Sequence, residues 1–203
     1  MKKEVFLQDW IPINYEYVCG IDETGFGSGA GPVVVGAVIM PRGFKNSLIR
    51  DSKKLSEKQR NEAYKIIEEN AISISVKAGS AQEINKFGIS DVTFKLMHEC
   101  IRETKVRPNY VIVDGTNWRE YEDKTIPVTL IPKGDDIYTC IAAASIVAKV
   151  KRDEYMCKIH ELHPEYAWND NKGYLTEKHI NAIKEHGHTS YHRLLYIKNF
   201  IKK

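Results

Sequence analysis

Tyr17-Val18-Cys19-Gly20-Ile21-Asp22-Glu23-Thr24-Gly25-Phe26-Gly27-Ser28-Gly29-Ala30-Gly31-Pro32 is the stretch on which the fold turns. A β-prone run over residues 17–21 ends in two adjacent carboxylates, Asp22 and Glu23, and a glycine-dense turn follows. A second β-prone run, 33–40, starts straight after Pro32, so the two strands read as antiparallel neighbours. Glycine frees the backbone and lets another molecule come close to the main chain. Adjacent acids at a strand end, beside such a loop, suit a divalent metal held next to a phosphate backbone. Gly25, Gly27 and Ala30 loosely fit G-x-G-x-x-A. Dinucleotide binding, however, needs a helix after the glycines to receive the pyrophosphate. The run Val33-Val34-Val35-Gly36-Ala37-Val38-Ile39 reads as strand, and that excludes the class.

Composition narrows the rest. A chain of 203 residues with 42% hydrophobic residues is expected to form one domain with an ample core. No run approaches the ~20 apolar residues of a membrane span. Met1-Lys2-Lys3-Glu4-Val5 lacks the apolar stretch of a signal peptide, so a cytoplasmic location is expected. Cys19, Cys100, Cys140 and Cys157 are widely spaced with no C-x-x-C, which argues for free thiols rather than a zinc site or disulfide framework. A net charge of +3 is compatible with nucleic-acid binding without establishing it.

Outward from the opening stretch, residues 1–16 read as an extended arm. Ser56 with Gln59 makes a capping box for a helix over 57–69, with Ala63, Ile66 and Ile67 on its apolar side. Residues 71–78 alternate with period two and read as a strand. A short helix over 81–87 ends at Gly88, and Ser90 or Asp91 is expected to cap a longer one running to 104. Tyr110-Val111-Ile112-Val113 is a buried-type strand ending in Asp114. Residues 125–131 form a fifth strand, followed by Lys133-Gly134-Asp135-Asp136. A helix is expected over 137–162, with a small apolar start that packs tightly on the sheet and with Asp136 as its cap. Thr176 caps a last helix to about His186, and Gly187 stops it. His179, His186, His188 and His192 have no metal-motif spacing and read mostly as surface or loop residues.

Asp22, Glu23, Asp114 and Asp135 thus all follow candidate strands or sit at their ends. Unpaired, four gathered carboxylates would repel one another strongly. Mg²⁺ or Mn²⁺ among them would make them compatible, and such sites cut phosphodiesters with two ions about 4 Å apart.

The residue blocks also resemble the ribonuclease HII family of ribonucleotide-specific endonucleases. They are Gly20-Ile21-Asp22-Glu23 with Ala30-Gly31-Pro32-Val33-Val34, Asp51-Ser52-Lys53-Lys54-Leu55-Ser56 and Val113-Asp114-Gly115. Lys133-Gly134-Asp135, Ala143-Ala144-Ser145-Ile146-Val147-Ala148-Lys149-Val150 with Arg152-Asp153, His163-Pro164 and Lys172-Gly173-Tyr174 complete the set. Each block is weak alone; their shared order and spacing are specific.

The resemblance implies an α/β RNase H-like fold, a five-stranded mixed sheet flanked by helices with a C-terminal helical extension. It divides the chain into an arm (1–16), a catalytic part (17–162) and a substrate-binding extension (163–203). It implies a catalytic, metal-holding set of Asp22, Glu23, Asp114 and Asp135 with Mn²⁺ or Mg²⁺. Asp153 is expected to be structural, paired with Arg152 or Lys149. The implied substrates are RNA–DNA hybrids and ribonucleotide-containing DNA duplexes, cut to leave 5′-phosphate and 3′-hydroxyl, in ribonucleotide excision repair; the implied assembly is a monomer. Gly25, Phe26, Gly27 and Tyr174 would read the ribose 2′-OH, the group that separates RNA from DNA. Lys53 and Ser145 would touch the backbone. The chain departs from the family at Gly25-Phe26-Gly27, where Gly-Arg-Gly is usual, and at Gly88, where Asn is common. The ribonuclease HIII group also lacks the loop arginine and prefers longer hybrids, but its large N-terminal domain is not seen here. A non-cleaving hybrid-binding protein and a DNA-junction nuclease of the same fold are the competing readings.

Overall fold

In the computed structural model, residues 6–9 and 15–201 are described, so most of the expected arm over 1–16 lies outside them. Five strands form one mixed sheet: β1 (Val18–Thr24), β2 (Val33–Ile39), β3 (Ser73–Gly79), β4 (Tyr110–Asp114) and β5 (Val128–Ile131). Their order is β3-β2-β1-β4-β5. β1 pairs antiparallel with β2, as the short glycine turn predicts, and parallel with β4. The fifth strand is shorter than the expected 125–131, and β1 continues through the acids instead of ending before them.

Helices α1 (Glu57–Asn70) and α4 (Thr139–Leu162) cover one face. Helices α2 (Ala81–Phe87) and α3 (Ile89–Arg102) cover the other. The small-residue start of α4 lies against glycines of the sheet. A Cβ on Gly20 would come within 2.3 Å of the Cys140 carbonyl carbon, and one on Gly36 within 2.5 Å of the Ala144 oxygen. The backbones meet there with no room for a side chain. Ser56 and Gln59 form the expected reciprocal capping box of α1.

Two expected caps are corrected. Gly88, in the left-handed region at φ 86°, turns the chain straight from α2 into α3, so neither Ser90 nor Asp91 caps α3. Asp91 bonds Arg119 instead. Asp136 does not cap α4, which starts after Tyr138; its carboxylate pairs with Lys54. Of the two expected partners of Asp153, Lys149 takes the role at 2.6 Å, with Arg60 at 3.7 Å. Arg152 turns elsewhere.

A third cluster joins the end of α4 to α5 (Trp168–Asn171), α6 (Glu177–His186) and α7 (Leu194–Ile197). Here the surface reading of the histidines fails for two of the four: His179 and His192 are fully buried. Trp168 Nε1 donates to His179 Nε2, so His179 carries its proton on Nδ1 and donates to the Tyr174 carbonyl. Thr189 N donates to His192 Nδ1, leaving the His192 Nε2 proton for His179 at 3.2 Å. Both rings are therefore held neutral. Burial, then His179, pushes the His192 pKa down to about 3. A base whose folded pKa lies below its unfolded value stabilises the fold above the unfolded pKa, and that stability is lost as pH falls toward the folded one. Between pH 6.5 and 3 the fold should thus lose up to roughly 4 kcal/mol through this ring. Melting temperatures over that range should fall less steeply for His192→Gln than for the wild type; parallel curves would exclude the ring as the cause.

Candidate metal centre

The parallel register of β1 and β4 sets Ile21 opposite Val113, so Asp22 and Asp114 leave the sheet side by side. Gly20 and Asp22, two apart, share the face covered by α4. Asp135 arrives from the turn after β5, where Asp114 Oδ1 accepts from Gly134 N at 2.7 Å and so ties that turn to β4. Carboxylate oxygens of Asp22, Asp114 and Asp135 all lie within 4.8 Å of one another. Asp22 and Asp135 are each only 4% exposed.

Glu23 stands outside this trio. It points to the other side of the strand end and lines a groove with Phe26, Ser90, Thr93, Phe94, Asp114 and Asn117. It still feels the cluster: burial and then Asp114 raise its pKa. Burial, followed by Glu23 and Asp114, holds the Asp22 carboxyl well above the usual range. Burial and Asp114 raise Asp135 as well. The sum is a pocket of carboxylates that resist being charged together.

The donor set fits a hard divalent cation. All the candidate donors are carboxylate oxygens, and Asp135 Oδ2 is buried without a hydrogen-bond partner. Lys53 Nζ approaches that oxygen only to 3.6 Å, on a side chain 77% exposed. Ser145 is buried; its Oγ lies 2.9 Å from Ser52 Oγ, and its hydroxyl partly offsets the rise in the Asp22 pKa.

Gly25, Phe26 and Gly27 form the rim beside the cluster. Gly25 takes φ 83°, a conformation that favours glycine, and the Phe26 side chain is 43% exposed. Gly29 N and Ala30 N donate to the Gly173 carbonyl, which brings the 172–174 turn, and exposed Tyr174, against the same loop. Two residues were missed from the sequence. Arg152 and Arg193 lie fully buried under the loop and bond its carbonyls.

The family model for ribonuclease HII matches residues 19–199. The ribonuclease HII of Bacteroides thetaiotaomicron is 47% identical over 177 residues, covering 87% of this chain and 88% of the relative. Among solved structures, ribonuclease H2 of Pyrococcus horikoshii aligns with a TM-score of 0.76 at 20% identity, over 91% of this chain and 96% of that one. Bst-RNase HIII, solved in complex with Mn²⁺, aligns with a TM-score of 0.67 at 21% identity, over 91% and 68%.

Proposed function

The chain belongs to the ribonuclease HII family, and from that premise we propose that its endonuclease chemistry is centred on Asp22, Glu23, Asp114 and Asp135 and directed at ribonucleotides in hybrid or mostly-DNA duplexes. The observation that carries the reading is the trio of carboxylates with one buried oxygen left unbonded.

Asp22, Asp114 and Asp135 would hold a divalent ion such as Mn²⁺ or Mg²⁺, with Glu23 beside them. Bound there, such an ion supplies Lewis acidity toward a phosphate and a water. Ser145 orients Asp22; its burial favours that part over contact with a nucleic-acid backbone. Lys53, exposed and only loosely paired with Asp135, can turn to a phosphate. The amides of Phe26 and Gly27 and the ring and hydroxyl of Tyr174 are available to a ribose. Hydrolysis adds the water oxygen to phosphorus and breaks the bond to O3′, leaving 5′-phosphate and 3′-hydroxyl. The same arrangement supports a place for residues 163–203 in substrate binding, since their Lys-Gly-Tyr turn abuts the glycine loop.

Two labelled duplexes test the reading, one with a single ribonucleotide in DNA and one with an all-RNA strand on DNA, each in Mg²⁺ and in Mn²⁺. Cutting 5′ of the lone ribonucleotide is the expected result. Cutting of the long hybrid alone would shift the specificity to that of the HIII group. Binding without cutting would leave the non-cleaving reading, and cutting only of all-DNA junctions the resolvase reading.

A further inference from the structure

Arg152 and Arg193 are both fully buried, yet among the described residues neither forms an ion pair. The neighbouring Asp153 is committed to Lys149 and Arg60. Their donors go to uncharged acceptors. Arg152 Nε bonds Pro32 O at 2.9 Å, Nη1 bonds Lys172 O at 2.8 Å, and Nη2 reaches Ser28 Oγ at 2.8 Å and Ala30 O at 3.2 Å. Arg193 Nε bonds Gly31 O at 3.0 Å, and Nη1 bonds Gly25 O at 2.7 Å and Phe26 O at 2.9 Å. Arg193 Nη2 is buried with no partner. A buried, unpaired charge is costly and persists only where the surroundings hold it.

The direction of these bonds has a consequence for the loop. In a trans peptide, the C=O and the following N–H point to opposite sides. The carbonyls of Gly25 and Phe26 are held by Arg193, so the N–H groups of Phe26 and Gly27 must point away from it. Among the described residues those two N–H groups have no acceptor. Gly25 sits so close to Arg152 that a Cβ would come within 2.1 Å of Nε.

We propose that Arg193, seated beside Arg152, is a positioning residue for the substrate strand: it draws the Gly25, Phe26 and Gly31 carbonyls inward, turns the Phe26 and Gly27 amides outward, and supplies from below the positive charge that Phe26 does not carry. The proposal rests on the nuclease reading above and deepens it. It explains how a loop without an exposed arginine keeps its attraction for an oxygen-rich backbone.

Steady-state cleavage of a DNA duplex with one ribonucleotide, in Mn²⁺ and over a series of salt concentrations, tests it. In Arg193→Met, KM should rise about tenfold with kcat within about threefold, the mark of lost binding rather than lost chemistry. The slope of log kcat/KM against log salt should flatten by about one unit. Adding Phe26→Arg to that variant should recover a good part of KM, because charge returns to the loop from its exposed side; a merely structural role would not be rescued this way. Arg193→Lys should raise KM while keeping the wild-type salt slope, since it loses the fork but not the charge. A well-folded Arg193→Met protein with wild-type KM and salt slope overturns the proposal, as does a Phe26→Arg addition that restores nothing. If Arg193→Met does not fold, an Arg193→Lys protein with unchanged KM overturns it equally. A wild-type protein that cuts neither hybrid nor ribonucleotide duplex refutes the nuclease reading instead. The positioning role is then decided by the salt slope of duplex binding in the same variants, an unchanged slope in Arg193→Met overturning it.

Discussion

Asp114→Asn is expected to lower cleavage by at least about 10³-fold, some 4 kcal/mol of barrier, and yet to raise the melting temperature of the metal-free protein. Both effects come from the same place. Asp114 contributes to the raised pKa of Asp22, of Glu23 and of Asp135, so it is the charge common to the whole cluster. A pair of unit charges 4 Å apart repels by about 1 kcal/mol in water and about 4 kcal/mol at the effective dielectric of a protein surface. Asparagine keeps an oxygen for Gly134 N, so the turn that carries Asp135 stays tied. Relief of one to two kcal/mol corresponds to a rise of roughly 2–8 °C in a chain of this size. With Mn²⁺ added the order should reverse. The wild type gains stability by mass action, about 2.7 kcal/mol at a hundred times Kd, and the variant gains little. Thermal melts in chelator and in Mn²⁺, run beside the cleavage assay, check all three. Full metal-dependent cleavage by the variant would remove Asp114 from the site, and a lower melting temperature in chelator would make it a structural residue.

The strand-end position of these acids was legible because it is a local property. A β-prone run with an acid and a glycine close behind it needs no distant information. Whether the acids converge is not local. It depends on β4 lying beside β1 in the register that puts Ile21 against Val113, which no spacing along the chain encodes. The capping boxes divide the same way. Ser56 and Gln59 satisfy each other within one turn and are readable from the sequence. Asp136, by contrast, resembles a cap locally and is claimed by Lys54, 82 residues away.

The residues that escaped the sequence reading are polar groups buried by tertiary contacts. Arg152 left a signal nonetheless: it lies four residues after Ala148 and four before Met156, on the buried stripe of α4. His179 likewise precedes Ala182 and Ile183 by three and four, the spacing of one helix face. A polar residue at an apolar position of a helix implies a satisfied buried network, and here the networks end on the Tyr174 carbonyl and the glycine loop. Arg193 and His192 stand just before the short α7 and carry no such periodicity.

Gly20→Ala should be more damaging than its single methyl suggests, costing more than about 3 kcal/mol, beyond the usual range for an overpacked site. The added Cβ would meet backbone rather than a side chain that could swing aside: Cys140 C at 2.3 Å, Cys140 O at 2.5 Å and Ile141 N at 2.5 Å. The only relief is to move α4 away from β1. Gly20 lies two residues before Asp22 on the same face, and α4 carries Ser145, whose hydroxyl favours the charged form of Asp22. The turn bearing Asp135 leads directly into that helix. A displacement at Gly20 therefore pulls Ser145 and Asp135 away from Asp22, and activity should fall further than the fraction of folded protein does. Gly27→Ala is the matched control within the same stretch. Its Cβ would meet nothing within 4 Å, and its backbone is outside the left-handed region, so stability should change by no more than about 0.5 kcal/mol. Denaturant melts of both variants, with activity normalised to the folded fraction, separate the two effects. Equal stability of the two proteins would mean that the close contact between α4 and β1 is not what holds the carboxylates together.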